Sequence, residues 1–438
     1  MFATTHKIQG AGGAGGDDLY WLTTIAHSSS GVQNFGIRAD NSNSVCGAGF
    51  LTGDNKSYLL KFEADGSISW NKTFENSNGT GFRGIASDYS GNIWTSGFDS
   101  PNGINRGILA KYSSSGSLQL QKTYGPASGQ YVYFNYITID SSNNIYASGP
   151  MTAGAVAYNY GPGLVKLNSS GVVQWQKTVA GGGSGSAKSP VDGSGNSFLI
   201  YSTQTSNSTI TAIKLDSSGS VVWQKGISGQ GYVYSRNAVV DSSGNLYISF
   251  ACTAYSSGSN TGPAIVKLNS SGVVQWCRTL NFFLTNFTDN VAVNDAGDVY
   301  VSYVTKAVSG DKDIKIIKYN SSGSLQWQRS LGSSAAENMQ FNSLALDKND
   351  NVLVSFDTNV TGSGVNTSAV YVKLPPDGSG TGTYGSFVYA ASSYTSTARS
   401  VSSSNLSNTV SNLSYSVSNA SGTDSSTSYT ENTYEITP

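Results

Sequence analysis

A phrase repeated about every fifty residues constrains this chain more than any other feature. It reads GLVKLNSSGVVQWQKT around Gly171, AIKLDSSGSVVWQK around Gly219, AIVKLNSSGVVQWCRT around Gly272 and IIKYNSSGSLQWQRS around Gly323. Divergent copies surround Gly66 and Gly116, and a decayed one, VKLPPDG, ends at Gly378. A second phrase alternates with the first, as in GIASDYSGNIWTSG (84–97), ITIDSSNNIYASG (137–149) and AVVDSSGNLYISF (238–250). In each copy an Asp or Asn precedes a large or apolar residue by six positions: Asp40/Cys46, Asp88/Trp94, Asp140/Tyr146, Asp192/Phe198, Asp241/Tyr247, Asn294/Tyr300 and Asp347/Leu353. A fixed period of this size marks a solenoid, a propeller or an array.

Both phrases consist of an apolar or aromatic run, a polar turn with Gly or Asn, and a second run, which is the pattern of a β-hairpin. Two hairpins per period give four strands, A to D in chain order. No segment sustains a 3.6-residue apolar period, and the Ser, Thr, Asn and Gly that dominate the chain disfavour helix interiors. The expected fold is all-β, a seven-bladed β-propeller of four-stranded blades with a C-terminal β-rich or extended segment. Seven A–B hairpins and seven C strands occur but only six clear D strands follow them, because the tryptophan phrase is gone after Gly378. LYWLTTI (19–25) resembles VQWQKT, with Trp21 in the register of Trp175, so an N-terminal strand is expected to close the last blade and remove an open sheet edge. TYGSFVYAAS (383–392) competes for that place.

The expected organisation is a Gly/Ala-rich arm over residues 1–16, the propeller over 17–375 and a Ser/Thr/Asn-rich attachment or oligomerisation segment over 376–438. Alternation in LSYSVSN (413–419) and TYEITP (433–438) suggests strands completed by a neighbour; a self-contained β module or a floppy tail are the alternatives. Trp70, Trp175, Trp223, Trp276 and Trp327 each follow the turn glycine by four residues, with Leu120 in the same slot. Together with Trp21 they are expected to be structural, filling the space between blades. The recurrent C-strand lysines are expected to snorkel at the surface.

The pattern resembles the SBBP family, a bacterial seven-bladed propeller repeat. The likeness is carried by GAGGAGGDD (10–18), by Asp241-Ser-Ser-Gly-Asn245-Leu-Tyr247, and by Lys166-Leu-Asn-Ser-Ser-Gly171 through Trp175. The resemblance implies the propeller fold and is nearly silent on function, since propellers host unrelated activities. The repeat phrasing and the Ser/Asn/Gly-rich style also look like structural proteins of tailed bacteriophages.

Composition bounds the partners. A net charge of −1 with scattered lysines gives no basic footprint for nucleic acid. Charged residues make up 12% of the chain, so surface polarity comes from Ser, Thr, Asn and Gly, which suits an extracellular setting. No run is long enough for membrane insertion. The N-terminus lacks the apolar core of a signal peptide. An exterior-type surface without an export signal is expected in a virus particle, assembled in the host cytoplasm and released by lysis. The expected function is therefore a non-enzymatic virion structural protein, tail-associated or surface-displayed. Its propeller would bind a host glycan or protein, and residues 1–16 and 376–438 would bind other virion proteins in an oligomeric assembly. The alternative is a secreted or surface bacterial propeller that binds polysaccharide or protein.

The A–B and C–D turns are short and uniform, whereas the B–C and D–A connections vary, and recognition concentrates in variable loops. The candidate binding residues are Tyr131, Tyr133, Phe134, Tyr136, Tyr158, Tyr160, Tyr232 and Tyr234, whose rings can stack on sugars or anchor a protein. No catalytic residue, cofactor or metal site is expected. His6 and His27 lie outside the repeats, and a carboxylate mechanism would have to draw on Asp99, Asp289, Asp311 or Asp313. The DSSGN turns lack the distal Glu of a calcium loop. Cys46, Cys252 and Cys277 have no ligand spacing and are expected to be buried free thiols.

Overall fold

The computed structural model describes residues 2–8, 20–27, 31–40, 42–75, 81–100, 105–125, 131–152, 160–179, 187–202, 209–229, 233–253, 261–280, 290–305, 312–333, 340–359, 367–399, 401–406, 410–412, 417–419, 423–425 and 430–434. All of its regular elements are strands. The chain opens with β1 (Phe2–Ile8) and β2 (Tyr20–Ala26). The first repeat supplies β3 (Val32–Ala39), β4 (Val45–Leu51), β5 (Lys56–Phe62) and β6 (Ile68–Glu75). The second supplies β7 (Gly81–Ser87), β8 (Ile93–Asp99), β9 (Arg106–Tyr112) and β10 (Leu118–Tyr124). The third supplies β11 (Tyr136–Ile139), β12 (Ile145–Thr152), β13 (Tyr160–Leu167) and β14 (Val173–Val179). In the fourth, isolated bridges at Lys188 and Val191 stand for strand A, followed by β15 (Ser197–Ser202), β16 (Ile210–Leu215) and β17 (Val221–Gly229). The fifth supplies β18 (Val233–Val240), β19 (Leu246–Thr253), β20 (Thr261–Leu268) and β21 (Val274–Leu280). The sixth supplies β22 (Asn290–Val293), β23 (Val299–Val304), β24 (Ile314–Tyr319) and β25 (Leu325–Ser333). The seventh supplies only β26 (Gln340–Leu346), β27 (Val352–Thr358) and β28 (Ser368–Leu374).

Seven antiparallel blades result, the fold of a seven-bladed β-propeller. They fall into two compact units. The first unit holds the sixth, seventh and first blades; the second holds the second to fifth. As expected, β2 completes the seventh blade: it pairs with β28, and Trp21 faces Lys373 as Trp175 faces Lys166. β1 then covers β2 along its whole length.

After β28 the chain forms β29 (Gly382–Tyr384), β30 (Phe387–Ala391), β31 (Ser396–Ala398), β32 (Val401–Asn405), β33 (Val410–Asn412), β34 (Val417–Asn419), β35 (Thr423–Ser425) and β36 (Thr430–Tyr434). Residues 383–392 do not close the seventh blade; their strand β30 adds to β25 of the sixth. β31, β32, β33, β34 and β35 add in turn to β21, β17, β14, β10 and β6, and β36 lies parallel to β1. The tail strands are thus completed by the chain's own blades, taken in descending order.

The turn aspartate holds each A–B hairpin. Asp241 Oδ1 accepts the backbone N–H of Ser243 at 3.0 Å and of Asn245 at 2.8 Å. Its Oδ2 accepts the Asn245 amide at 2.8 Å and the Tyr247 hydroxyl at 3.0 Å. The six-residue spacing thereby gains a physical reason: in two further blades the sixth residue supplies the same donor, Trp94 Nε1–H to Asp88 at 3.2 Å and Tyr146 O–H to Asp140 at 3.1 Å. Where Phe198 or Leu353 offers none, the C-strand lysine reaches the carboxylate, Lys214 to Asp192 at 3.4 Å and Lys373 to Asp347 at 3.3 Å. The residue three after the Asp or Asn adopts a left-handed φ in every blade, and is Gly in four, Asn in two and Asp350 in one. Burial works against ionisation of Asp88, but donation from Asn92 and Trp94 and the nearby Lys111 outweigh it and hold the carboxyl below its ordinary range.

Three of the seven C-strand lysines expected to snorkel are interior instead, and the other four are half-buried. Lys166, Lys214 and Lys373 are 8%, 8% and 5% exposed. The Lys166 ammonium sits 5.3 Å from the Tyr146 ring centre and that of Lys214 5.2 Å from Phe198. The loss of water that would otherwise keep these charges outside is offset by an aspartate and a ring at Lys214, by a ring and the Ser217 carbonyl at Lys166, and by an aspartate at Lys373.

The D-strand tryptophans of the third, fourth and sixth blades lie against the C–D turn of the following blade. Trp175 Nε1–H donates to Ser217 O at 3.1 Å, and a Cβ on Gly219 would stand 2.9 Å from the Trp175 ring. Trp223 does the same to Ser270 O at 3.0 Å and Trp327 to Pro376 O at 3.3 Å. These rings, with Trp70 and Trp276, are half-buried. Trp21, overlaid by β1, is wholly buried. Trp21→Ala should therefore cost about 3–5 kcal/mol in chemical denaturation, and Trp175→Ala clearly less; equal losses would show that β1 contributes no burial.

Candidate functional site

A group of partly exposed aromatic and cationic side chains lies in the second unit, at loop ends of the second and third blades. Residues 131–135 are threaded between them. Val132 N–H bonds Asn105 O at 3.0 Å, Tyr133 N–H bonds Pro150 O at 3.1 Å and Asn135 N–H bonds Ser148 O at 2.9 Å. Tyr131 N–H bonds the Thr152 hydroxyl at 2.9 Å. Pinned on both sides, the segment alternates like a strand. Val132, Phe134 and Tyr136 face inward, whereas Tyr131, Tyr133 and Asn135 are half-exposed.

The inward residues serve packing. Phe134 lies 5.5 Å from Tyr124, centre to centre, and occupies the space a Cβ on Gly107 would need. Tyr136 donates to Ala238 O at 3.2 Å under the Lys188 ammonium. The outward residues form a surface. Tyr133 and Phe98 meet edge to face at 5.1 Å, the exposed Arg83 places its guanidinium 5.6 Å from the Phe98 ring centre, and the Asn105 amide donates to the Tyr133 hydroxyl. Two rings are thus held rigid beside a guanidinium, an amide and phenolic hydroxyls. That combination can cover an apolar sugar face and bind carboxylate or hydroxyl oxygens at its edge. The sequence pointed to Tyr131 and Tyr133; Phe98, Arg83 and Asn105 were missed because they lie 26 to 50 positions upstream, in another blade.

Tyr158 and Tyr232 lie outside the described residues, while Tyr160 opens β13 and Tyr234 lies within β18. Of the carboxylates considered, Asp289 and Asp311 also lie outside them, and Asp99 ends β8. Asp313 is held by Lys315 at 2.7 Å and by the Ser330 hydroxyl at 2.9 Å. Among the described residues no group of three or more His, Cys, Asp and Glu is placed to hold a metal. The three cysteines are buried free thiols, as expected, and burial pushes the Cys277 thiol up to about 12.

Two groups in the first unit are unforeseen. His27, just beyond β2, brings Nε2 within 3.6 Å of Asp54 Oδ2 in the β4–β5 turn, an imidazole–carboxylate pair of the kind that can exchange protons. Asp357, at the end of β27, is buried and accepts the N–H of Asn34 at 2.5 Å.

No family model matches the chain, and no curated protein matches it. Solved structures are similar in fold. An ulvan lyase of a new polysaccharide lyase family aligns over 82% of this chain and 97% of its own, at 9% identity and a TM-score of 0.48. The polysaccharide lyase Uly1 aligns over 81% and 99%, at 9% identity and a TM-score of 0.39. A puromycin hydrolase aligns over 76% of this chain and 53% of its own, at 11% identity and a TM-score of 0.46. The expectation that the chain is not an enzyme is corrected by this finding. Enzymes, polysaccharide lyases among them, stand among its similar structures, so catalysis is not excluded. Likeness at this level assigns no activity either.

Desolvation raises the Asp357 carboxyl well above its ordinary range, against a smaller opposing effect of the Asn34 N–H. A carboxyl raised on folding contributes stability below its unfolded pKa of about 4, and that contribution is lost as pH rises through the folded value. Asp357→Asn should accordingly melt a few degrees above the parent at pH 7, with the difference closing toward pH 4. A pH-independent difference would mean that Asp357 keeps its ordinary titration.

Proposed function

We propose that this chain is a recognition module whose propeller scaffold presents the Phe98–Tyr133 surface, with Arg83 and Asn105, to a carboxylate-bearing glycan. The observation that carries this reading is the edge-to-face pair at 5.1 Å flanked by an exposed guanidinium. Tyr133 stands on a segment bonded to both blades and its ring is held by the Asn105 amide and by Phe98 of β8, so little side-chain freedom remains to be lost on binding. The aromatic surface supplies area and shape, and the charge supplies orientation. A glycan array followed by calorimetry on the best binder tests it. Tyr133→Ala and Arg83→Gln should each weaken binding by about tenfold, from the loss of one stacking or one charge-assisted contact of ~1–2 kcal/mol. Retention of no acidic saccharide, or an unchanged affinity in Tyr133→Ala, would sink the reading.

We also propose that the module is displayed on a virion. The support is compositional: only 12% charged residues, a surface built from Ser, Thr, Asn and Gly, and repeat phrasing of the kind seen in tailed-phage structural proteins. Gold-labelled antibody should decorate tails or capsids in a lysate that encodes the chain. Label confined to medium or cells would replace this proposal with a secreted or surface propeller.

A further inference from the structure

The outer strands of the second unit carry a recurrent pattern that the loop cluster does not use. β10, β14, β17 and β21 place Leu120 and Lys122, Trp175 and Lys177, Trp223 and Lys225, and Trp276 and Arg278 two residues apart, and so on one side of each strand. None of these four strands contains Asp or Glu, although the chain as a whole has 25 basic and 26 acidic residues. Each lysine extends to the C–D turn of the following blade. Lys122 Nζ donates to Ser170 O and Gly171 O at 3.4 Å, Lys177 lies beside Gly219, and Lys225 lies beside Gly272. The indoles of Trp175, Trp223 and Trp276 are half-buried, and Val172, Val222 and Val273 are 51%, 55% and 50% exposed. Three successive blades therefore repeat an indole and a cation two residues apart, with an exposed valine directly after the turn glycine ahead of β14 and β21 and beside the indole in β17.

The tail strands β33, β32 and β31 already pair with these edges from Lys177, Lys225 and Arg278 onward, which leaves only the halves next to the C–D turns open. Gln174 and Gln275 donate their side-chain amides to Val172 O at 3.2 Å and Val273 O at 3.1 Å, which blunts the open halves of β14 and β21. A nucleic-acid strand carries a phosphate per nucleotide and calls for a denser basic track than one cation per blade. A chain of sugar rings with spaced acidic groups matches both the apolar surface and the charge interval. We propose that the outer strands β14, β17 and β21 form a ladder for a linear acidic polysaccharide, each blade contributing one weak contact and the repeat making them collectively strong. This surface lies at the C–D-turn ends of the strands and is independent of the loop cluster.

Sodium alginate, a polyuronate, titrated into the full chain at low salt and followed by tryptophan fluorescence and calorimetry, is the test. Lys177→Gln, Lys225→Gln and Arg278→Gln should each weaken binding about two- to fivefold, and the triple variant by about tenfold or more. Added salt should weaken binding, and the losses on charge removal should be the same in a Tyr133→Ala background. The single variants, checked by melting temperature, carry the test if the triple variant fails to fold. An unchanged affinity on charge removal, equal binding of neutral dextran, or tighter binding of oligo(dT) than of alginate would each overturn the ladder.

Discussion

The carboxylate at the head of each A–B hairpin is the interaction on which the other contacts depend. By accepting two backbone N–H groups of its own turn it fixes the hairpin, and by accepting a third donor from the next strand or a lysine from the strand beyond it fixes the spacing of the sheet. Every donor would be left unmatched if the oxygen were removed, so the sequence keeps an Asp or Asn there while the donor itself varies among Trp, Tyr and Lys. In the sixth blade Asn294 heads the turn, and Asp298 takes over the lysine, Lys318, at 2.9 Å. The charge has moved four residues along and the pairing survives.

On this frame the variable connections can diverge without cost to the blades. The Phe98–Tyr133 surface arises because residues 131–135, not long enough to be a free loop, are bonded to both neighbouring blades. Rigidity and exposure then coexist, which is the requirement for a recognition surface. The uniform turns at the other strand ends have different chemistry, since repetition there makes identical small sites instead of one composite site.

Much of the fold was legible because hairpin turns and strand periodicity are local. The place of Trp21 could be read from its likeness to Trp175, and the register of β2 against β28 agrees. The interior position of Lys166 and Lys214 could not, because the Tyr146 ring beside one and the Phe198 ring and Asp192 beside the other are brought close only by strand pairing. The tail was legible only in part: alternation in LSYSVSN and TYEITP marked strands, but strands of three to five residues do not say which blade edge they join. At the loop cluster the sequence gives away alternation around Tyr133, whereas Arg83 and Phe98 join it through tertiary structure alone.

The closure of the seventh blade has a consequence for synthesis. β2 ends at Ala26, but its partner β28 begins only at Ser368. At about 5–20 residues per second the ribosome takes tens of seconds to cover that distance. Throughout that interval Trp21 and Leu22 have no sheet to join, so the nascent chain carries an apolar strand that must be kept from the wrong edges. The seventh blade thus waits for the last repeat before it is whole, and its assembly has high contact order.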